Sequence, residues 1–284
     1  LACCIGSEID GSRPINLTAN AASKVYGEAS NPSLSYTAEV ASTDRGLISG
    51  DTFSGGLSTS VTQYSPVASY AITSTLANSN YSINYVGANL SVTARPINLT
   101  ASAASKIYGE INPSLAYTPE PSSTGRGWVN NDAFSGALST TASTSSSVGS
   151  YPITSTLANS NYSINYVGAN LTINKAPLNT TVTKIYDANN VFTSGFSFTG
   201  MVNGDSAPSV TSGQATVNAK NAATYTNFTT NSLLLDNQNY SLSNGLVSAV
   251  ITKKPLYLYS GITVADKTYD GGVSAIINTN NVAA

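Results

Sequence analysis

The 19 residues from Ile72 to Leu90 (ITSTLANSNYSINYVGANL) recur letter for letter from Ile153 to Leu171. An offset of 81 residues is about the length of one small folded unit. A chain with this period has to fold as an array of similar modules, each burying its apolar face within itself or against a neighbour. Such arrays supply reach or valency more readily than a single catalytic pocket.

Extending the alignment outward from the identical block gives a first unit over 14–95 and a second over 96–176, both opening with Pro-Ile-Asn-Leu-Thr-Ala. A diverged third unit runs over 177–254, with Lys184-Ile-Tyr-Asp187 and Asn239-Tyr-Ser-Leu in the matching places. A fourth begins at Pro255 and reaches Lys267-Thr-Tyr-Asp-Gly271 before position 284, too short to close a sheet alone. Residues 1–13 read as a remnant of a preceding segment, and both ends read as cuts through a longer array.

Helical periodicity is missing. Short runs rich in Val, Ile, Thr and Tyr alternate with clusters of Gly, Asn, Asp and Ser, which is the pattern of strands and turns. The expected fold class is all-β, in tandem sheet-rich modules of immunoglobulin-like or β-grasp-like type arranged as an elongated array. In the first unit the expected strands are 15–19, 33–37, 52–59, 69–76, 81–85 and 89–93, with Val86-Gly87-Ala88 as a tight hairpin between the last two and Gly87 free to take a positive φ.

The unit boundaries carry a further signal. Leu90, Val92 and Ala94 occupy even positions and Ile97, Leu99 and Ala101 odd ones. The same switch separates Leu171 and Ile173 from Leu178 and Val182, and Val247, Ala249 and Ile251 from Leu256 and Leu258. Side chains on a strand alternate faces, so each slip sends one near-continuous strand out of one core and into the next. Pro96, Pro177 and Pro255 sit at the slips and stiffen them. Three such units in line would span on the order of 100 Å.

Charged residues make up 9% of the chain, against about 25% in an ordinary soluble domain. A net charge of -2 and no basic run argue against a nucleic-acid partner. No 18-residue apolar run exists to form a membrane-spanning helix. Histidine is absent, which removes the commonest general base and metal ligand. No nucleophile motif or phosphate loop is present, so no catalytic, cofactor-binding or metal site and no cofactor is expected.

Lys24-Val-Tyr-Gly-Glu28, Asn31-Pro-Ser-Leu-Ser-Tyr36, Gly149-Ser-Tyr-Pro-Ile-Thr and the Asn161-Tyr-Ser-Ile-Asn-Tyr-Val-Gly-Ala-Asn-Leu-Thr-Ile run give units one and two a resemblance to the MBG domains, YGX type, of bacterial surface adhesins. Lys184-Ile-Tyr-Asp187, Met201-Val-Asn-Gly-Asp205 and Asn239-Tyr-Ser-Leu make the third unit similar to the related YDG domain, except that Asp187-Ala-Asn stands where that domain has Asp-Gly, implying a modified turn. The resemblance implies the stalk or repeat region of an extracellular, filamentous haemagglutinin-like protein supporting cell adhesion, with no assigned active site. It leaves open partners such as host or matrix glycans, or neighbouring copies of the chain.

Tyr26, Tyr36, Tyr70, Tyr81 and Tyr85 recur as Tyr108, Tyr117, Tyr151, Tyr162 and Tyr166; they are expected to pack in strands rather than stack on sugars. Trp128, aligned with Leu47, reads as core. Asp51, Asp132 and Asp205 are too sparsely accompanied for calcium and read as Asx-type turn residues. Lys24, Lys106, Lys184 and Lys267, with Glu28 and Glu110 near the first two, admit a Lys–Asn isopeptide crosslink that intact mass would reveal. Nine Asn-x-Ser/Thr sites, at Asn16, Asn80, Asn89, Asn98, Asn161, Asn170, Asn179, Asn227 and Asn239, fit an Asn-rich composition as well as glycosylation. Cys3 and Cys4 lie outside the repeats and staple nothing.

Overall fold

The computed structural model describes residues 11–258 together with 263–264, 266, 268–269, 271–272, 277–279 and 282–283. Among these there is no helix, and the architecture is all-β. Cys3, Cys4, Lys267 and the side chain of Leu258 lie outside the described residues.

The first repeat contains β1 (Arg13–Ala19), β2 (Ala22–Val25), β3 (Tyr36–Ala38), β4 (Leu57–Thr59), β5 (Ala68–Ser74), β6 (Tyr81–Val86) and β7 (Asn89–Thr93). They form two small sheets, ordered β3-β1-β6 and β2-β7-β5-β4. The entering strand runs through β1 and β2, and the leaving strand through β6 and β7. These two lie parallel along their whole length, Ile15 opposite Ile83 in one sheet and Lys24 opposite Val92 in the other. Each therefore changes sheet halfway.

That crossing corrects two expectations. Val86-Gly87-Ala88 is no hairpin, because β6 and β7 pair with different strands, and Gly87 is not among the positive-φ residues. The expected strands at 33–37 and 52–59 shrink to Tyr36–Ala38 and Leu57–Thr59, whereas 89–93 is found as expected.

The second repeat repeats the pattern with β8 (Arg95–Ala101), β9 (Ala104–Ile107), β10 (Tyr117–Pro119), β11 (Leu138–Thr140), β12 (Gly149–Ser155), β13 (Tyr162–Val167) and β14 (Ala169–Asn174). β8 lies parallel to β13 and antiparallel to β10, and β11 is antiparallel to β12. In the third, β15 (Ala176–Pro177) runs parallel to Tyr240–Ser241, and β16 (Asn179–Ile185) runs parallel to Val247–Thr252.

The described residues fall into two compact units that divide within the second repeat. One gathers the described residues to 104 with 114–141 and 152–170; the other gathers 105–113, 142–151 and the described residues from 171 onward. Each thus contains one complete junction between successive repeats.

The parity switches appear as expected at the first two junctions: Leu90 and Val92 are buried, then Arg95, Ile97 and Leu99; Leu171 and Ile173, then Ala176 and Leu178. At the third, Leu256 is 66% exposed and does not face inward. Ile15, Leu17 and Tyr81 form a cluster of their own in the first repeat. The next cluster, however, is shared. Tyr26, Ile72, Leu90 and Val92 of the first repeat join Ile97, Leu99 and Tyr162 of the second, so the strand does not pass between two separate cores. Pro96, exposed and paired opposite Ser163 inside β8, is no hinge.

Candidate functional site: the joint between repeats

The tyrosine of the Lys-Val-Tyr-Gly turn leaves its own repeat to enter the next. Tyr26 Oη donates to Asp132 Oδ2 at 2.8 Å, and the same oxygen accepts the Tyr162 hydroxyl at 2.9 Å. The two rings meet edge to face, 5.7 Å apart. Tyr162 Oη also accepts from the Val129 amide at 3.2 Å, and Trp128 Nε1 donates to the Asp132 carbonyl. One carboxylate thus latches a phenol from each repeat. The turn that delivers Tyr26 requires glycine: Gly27 sits at φ 78°, and a Cβ there would lie 2.7 Å from Val129 Cγ2.

The second joint reproduces the latch. Tyr108 and Tyr240 both donate to Asp205 Oδ2, at 2.9 and 2.8 Å, with rings 5.5 Å apart. Gly109, φ 89°, faces Val202 still more closely than Gly27 faces Val129. A second tie accompanies each latch: Asn161 Oδ1 accepts from the Val67 amide and Asn239 Oδ1 from the Val148 amide. Two of the sequon asparagines are thereby committed to joints.

The turn is braced from behind by the preceding lysine. Lys24 donates to the carbonyls of Glu28 and Thr62 and to Asn31 Oδ1; Lys106 donates to the carbonyls of Glu110 and Ser143. Burial lowers the pKa of both lysines. Lys184 donates to Asp187, to Asn189 Oδ1 at 2.5 Å and to two carbonyls. The lysines therefore act as hydrogen-bonding ammonium groups that shape the loop, with an asparagine facing Lys24 and Lys184.

The first joint carries one feature more. Arg95, 2% exposed, enters the second repeat through it. Its Nε and Nη2 bind the carbonyls of Gly127, Ser123 and Arg126, and its Nη1 reaches back to the Tyr26 carbonyl and to Glu28 Oε1 at 3.2 Å. Glu28 also accepts from the Gly125 amide.

Asp51, Asp132 and Asp205 are not Asx turn residues: their carboxylates accept tyrosine hydroxyls. The tyrosines pack as expected, and Tyr85, Tyr166, Tyr70 and Tyr151 spend their hydroxyls on backbone carbonyls. Trp128 is half-buried against the shared cluster. Ala188 takes φ 67° in the third repeat's turn, the modified turn that the missing glycine implied.

A family model described as MBG domain (YGX type) matches residues 15–91 and again 97–172, more than half of the chain. The chain belongs to the MBG (YGX type) domain family. Each match spans one MBG repeat from its entering strand to its leaving strand, including Asp51 in the first and Asp132 in the second. The Tyr-Gly of the family's type name corresponds here to the two turns that insert into a following repeat. No curated protein matches the chain. Among the described residues no helix is long and apolar enough to cross a membrane.

Three of the latch phenols have altered acidity. Tyr162 is pushed far above its ordinary value, first by burial and then by the Asp132 charge beside it; Tyr26 and Tyr240 are raised for the same reasons. The raised values keep the hydroxyls of Tyr26, Tyr162 and Tyr240 protonated and donating, which is what the geometry requires.

Proposed function

We propose that this chain is a non-enzymatic spacer segment of a bacterial cell-surface or secreted adhesin, holding a binding region away from the cell. The observation that carries the reading is the latch, in which Tyr26 and Tyr162 share Asp132 and Tyr108 and Tyr240 share Asp205. A near-continuous strand crosses each joint, and ring packing, shared carboxylate and asparagine tie join the two repeats at separate points. A spacer benefits from joints of this kind, whereas a binding module benefits from exposed side chains. The tyrosine rings that a sugar-binding surface would need are largely spent on packing and on internal hydrogen bonds.

Small-angle scattering of the full chain tests the reading. A rod with a maximum dimension on the order of 100 Å is expected, and a compact globule would defeat it. A glycan array run alongside should be blank, and reproducible binding would favour a lectin-like role instead.

A further inference from the structure

In the first repeat, the face equivalent to the receiving side of each joint is fully formed. Asp51 Oδ2 accepts the Tyr81 hydroxyl at 2.6 Å, and the Ile48 amide donates to Tyr81 Oη at 3.0 Å, matching Asp132–Tyr162–Val129 and Asp205–Tyr240–Val202. Among the described residues no second phenol reaches Asp51. Ile48, in the place of the valines that face Gly27 and Gly109, is 48% exposed. Asn80, in the place of Asn161 and Asn239, is exposed, and among the described residues no amide donates to its side chain. Arg13 repeats the bonds of Arg95 within its own repeat, from Nε to the Gly46 carbonyl and from Nη2 to the carbonyls of Ser42 and Arg45. Its Nη1, which in Arg95 holds a tyrosine carbonyl and a glutamate, has no such partner among the described residues.

We propose that this face is a docking site for the Tyr-Gly-Glu turn of another YGX-type repeat placed in line before Arg13. The occupant follows from what each prepared group lacks: a phenol for Asp51, a Cα without a side chain against Ile48, a backbone amide for Asn80, and a carboxylate for Arg13. A second copy of this chain does not fit, because its two Tyr-Gly-Glu turns are engaged in joints and its third turn, Tyr186-Asp187-Ala188, has neither the glycine nor the glutamate. The proposal rests on the latch reading of the two joints already described.

The test is to replace residues 1–12 of the chain by a copy of residues 14–94 joined directly to Arg13, keeping everything from Arg13 onward, and to follow amide hydrogen exchange. Residues 44–51 and 78–82 should exchange about tenfold more slowly in the extended chain, the scale of hydrogen bonds to charged groups. The gain should vanish when the added copy carries Tyr→Phe and Glu→Gln at its turn. Residues 125–132 of the first joint serve as the reference, with Tyr26→Phe expected to speed their exchange. If that reference responds and 44–51 gains nothing, the docking site is refuted and the latch stands. If Tyr26→Phe leaves 125–132 unchanged, the latch itself fails. An added copy that stays unprotected in its own strands also counts against docking, since a complementary face would stabilise it.

Discussion

The joint after the first repeat and the joint after the second share two tyrosines, an aspartate and an asparagine, but they differ in the residue that enters the new repeat. In the first joint it is Arg95, which ties Glu28 and the Tyr26 carbonyl to the loop 123–127. In the second it is Ala176, buried and unable to bond through its side chain. Glu110, the counterpart of Glu28, turns back to cap the Ile107 amide at 2.8 Å. The phenol–carboxylate latch recurs without the arginine, so it is the common element. The arginine is a local reinforcement of the first joint; in the second, where alanine stands, the glutamate has its partner in its own turn.

The largest expected effect comes from removing that reinforcement where it exists. Arg95→Ala strips hydrogen bonds from carbonyls at Tyr26, Ser123, Arg126 and Gly127 and should cost about 3 kcal/mol. Trp128 is the single tryptophan of the chain and lies in this joint, so its fluorescence during urea unfolding reads the joint directly. Arg13→Ala removes the same bonds within a repeat but no tie to a preceding turn, and should cost about 1 kcal/mol. Equal costs for the two would break the comparison, because Arg95 would then be stabilising its own repeat alone.

A smaller effect tests what the joints share. The folded-state pKa values of Tyr26, Tyr162 and Tyr240 are raised, so the folded chain holds protons that the unfolded chain releases. Stability from these groups is present in full below pH about 10 and falls as pH rises above it. Lys24 and Lys106, with lowered values, act in the opposite direction below about 10.5. The joints should therefore loosen on the alkaline side of both thresholds, with Trp128 fluorescence reporting the first and hydrogen exchange of residues 200–206 the second. Alkaline loosening confined to the first joint would show that the latch is not the common element.

Much of this was legible in the sequence, and the failures have physical causes. The alternation in Leu90, Val92, Ile97 and Leu99 announced both the strands and the change of face, because burial on a strand is a local, period-two property. The latch was invisible for the opposite reason. Tyr26 and Asp132 are 106 residues apart, and their recurrence at fixed spacing reveals register without revealing that one repeat's tyrosine meets the next repeat's aspartate. Arg95 gave a fainter signal, being the counterpart of Arg13 one repeat later. The hairpin at Gly87 was misread because small residues between two strands mark a change of direction and a change of sheet alike, and only the pairing partners distinguish them.

The smallest effect concerns the third turn of the series. Gly27 and Gly109 follow their tyrosines directly and take positive φ at no steric cost, whereas the third repeat has Asp187 after Tyr186 and places its left-handed residue one position later, at Ala188. A left-handed alanine is strained, and glycine at that position relieves the strain while adding some freedom to the unfolded chain. Ala188→Gly should therefore raise the stability of the third repeat by about 0.5 to 1 kcal/mol. Slower exchange of Val182 and Ile251 in its core should accompany the gain, with the urea midpoint read by Trp128 unmoved. A loss of stability would mean that the third turn is held in its shape by Lys184 and its four acceptors strongly enough that backbone strain no longer matters. The turn of the third repeat would then differ in kind from the glycine turns that make the two joints.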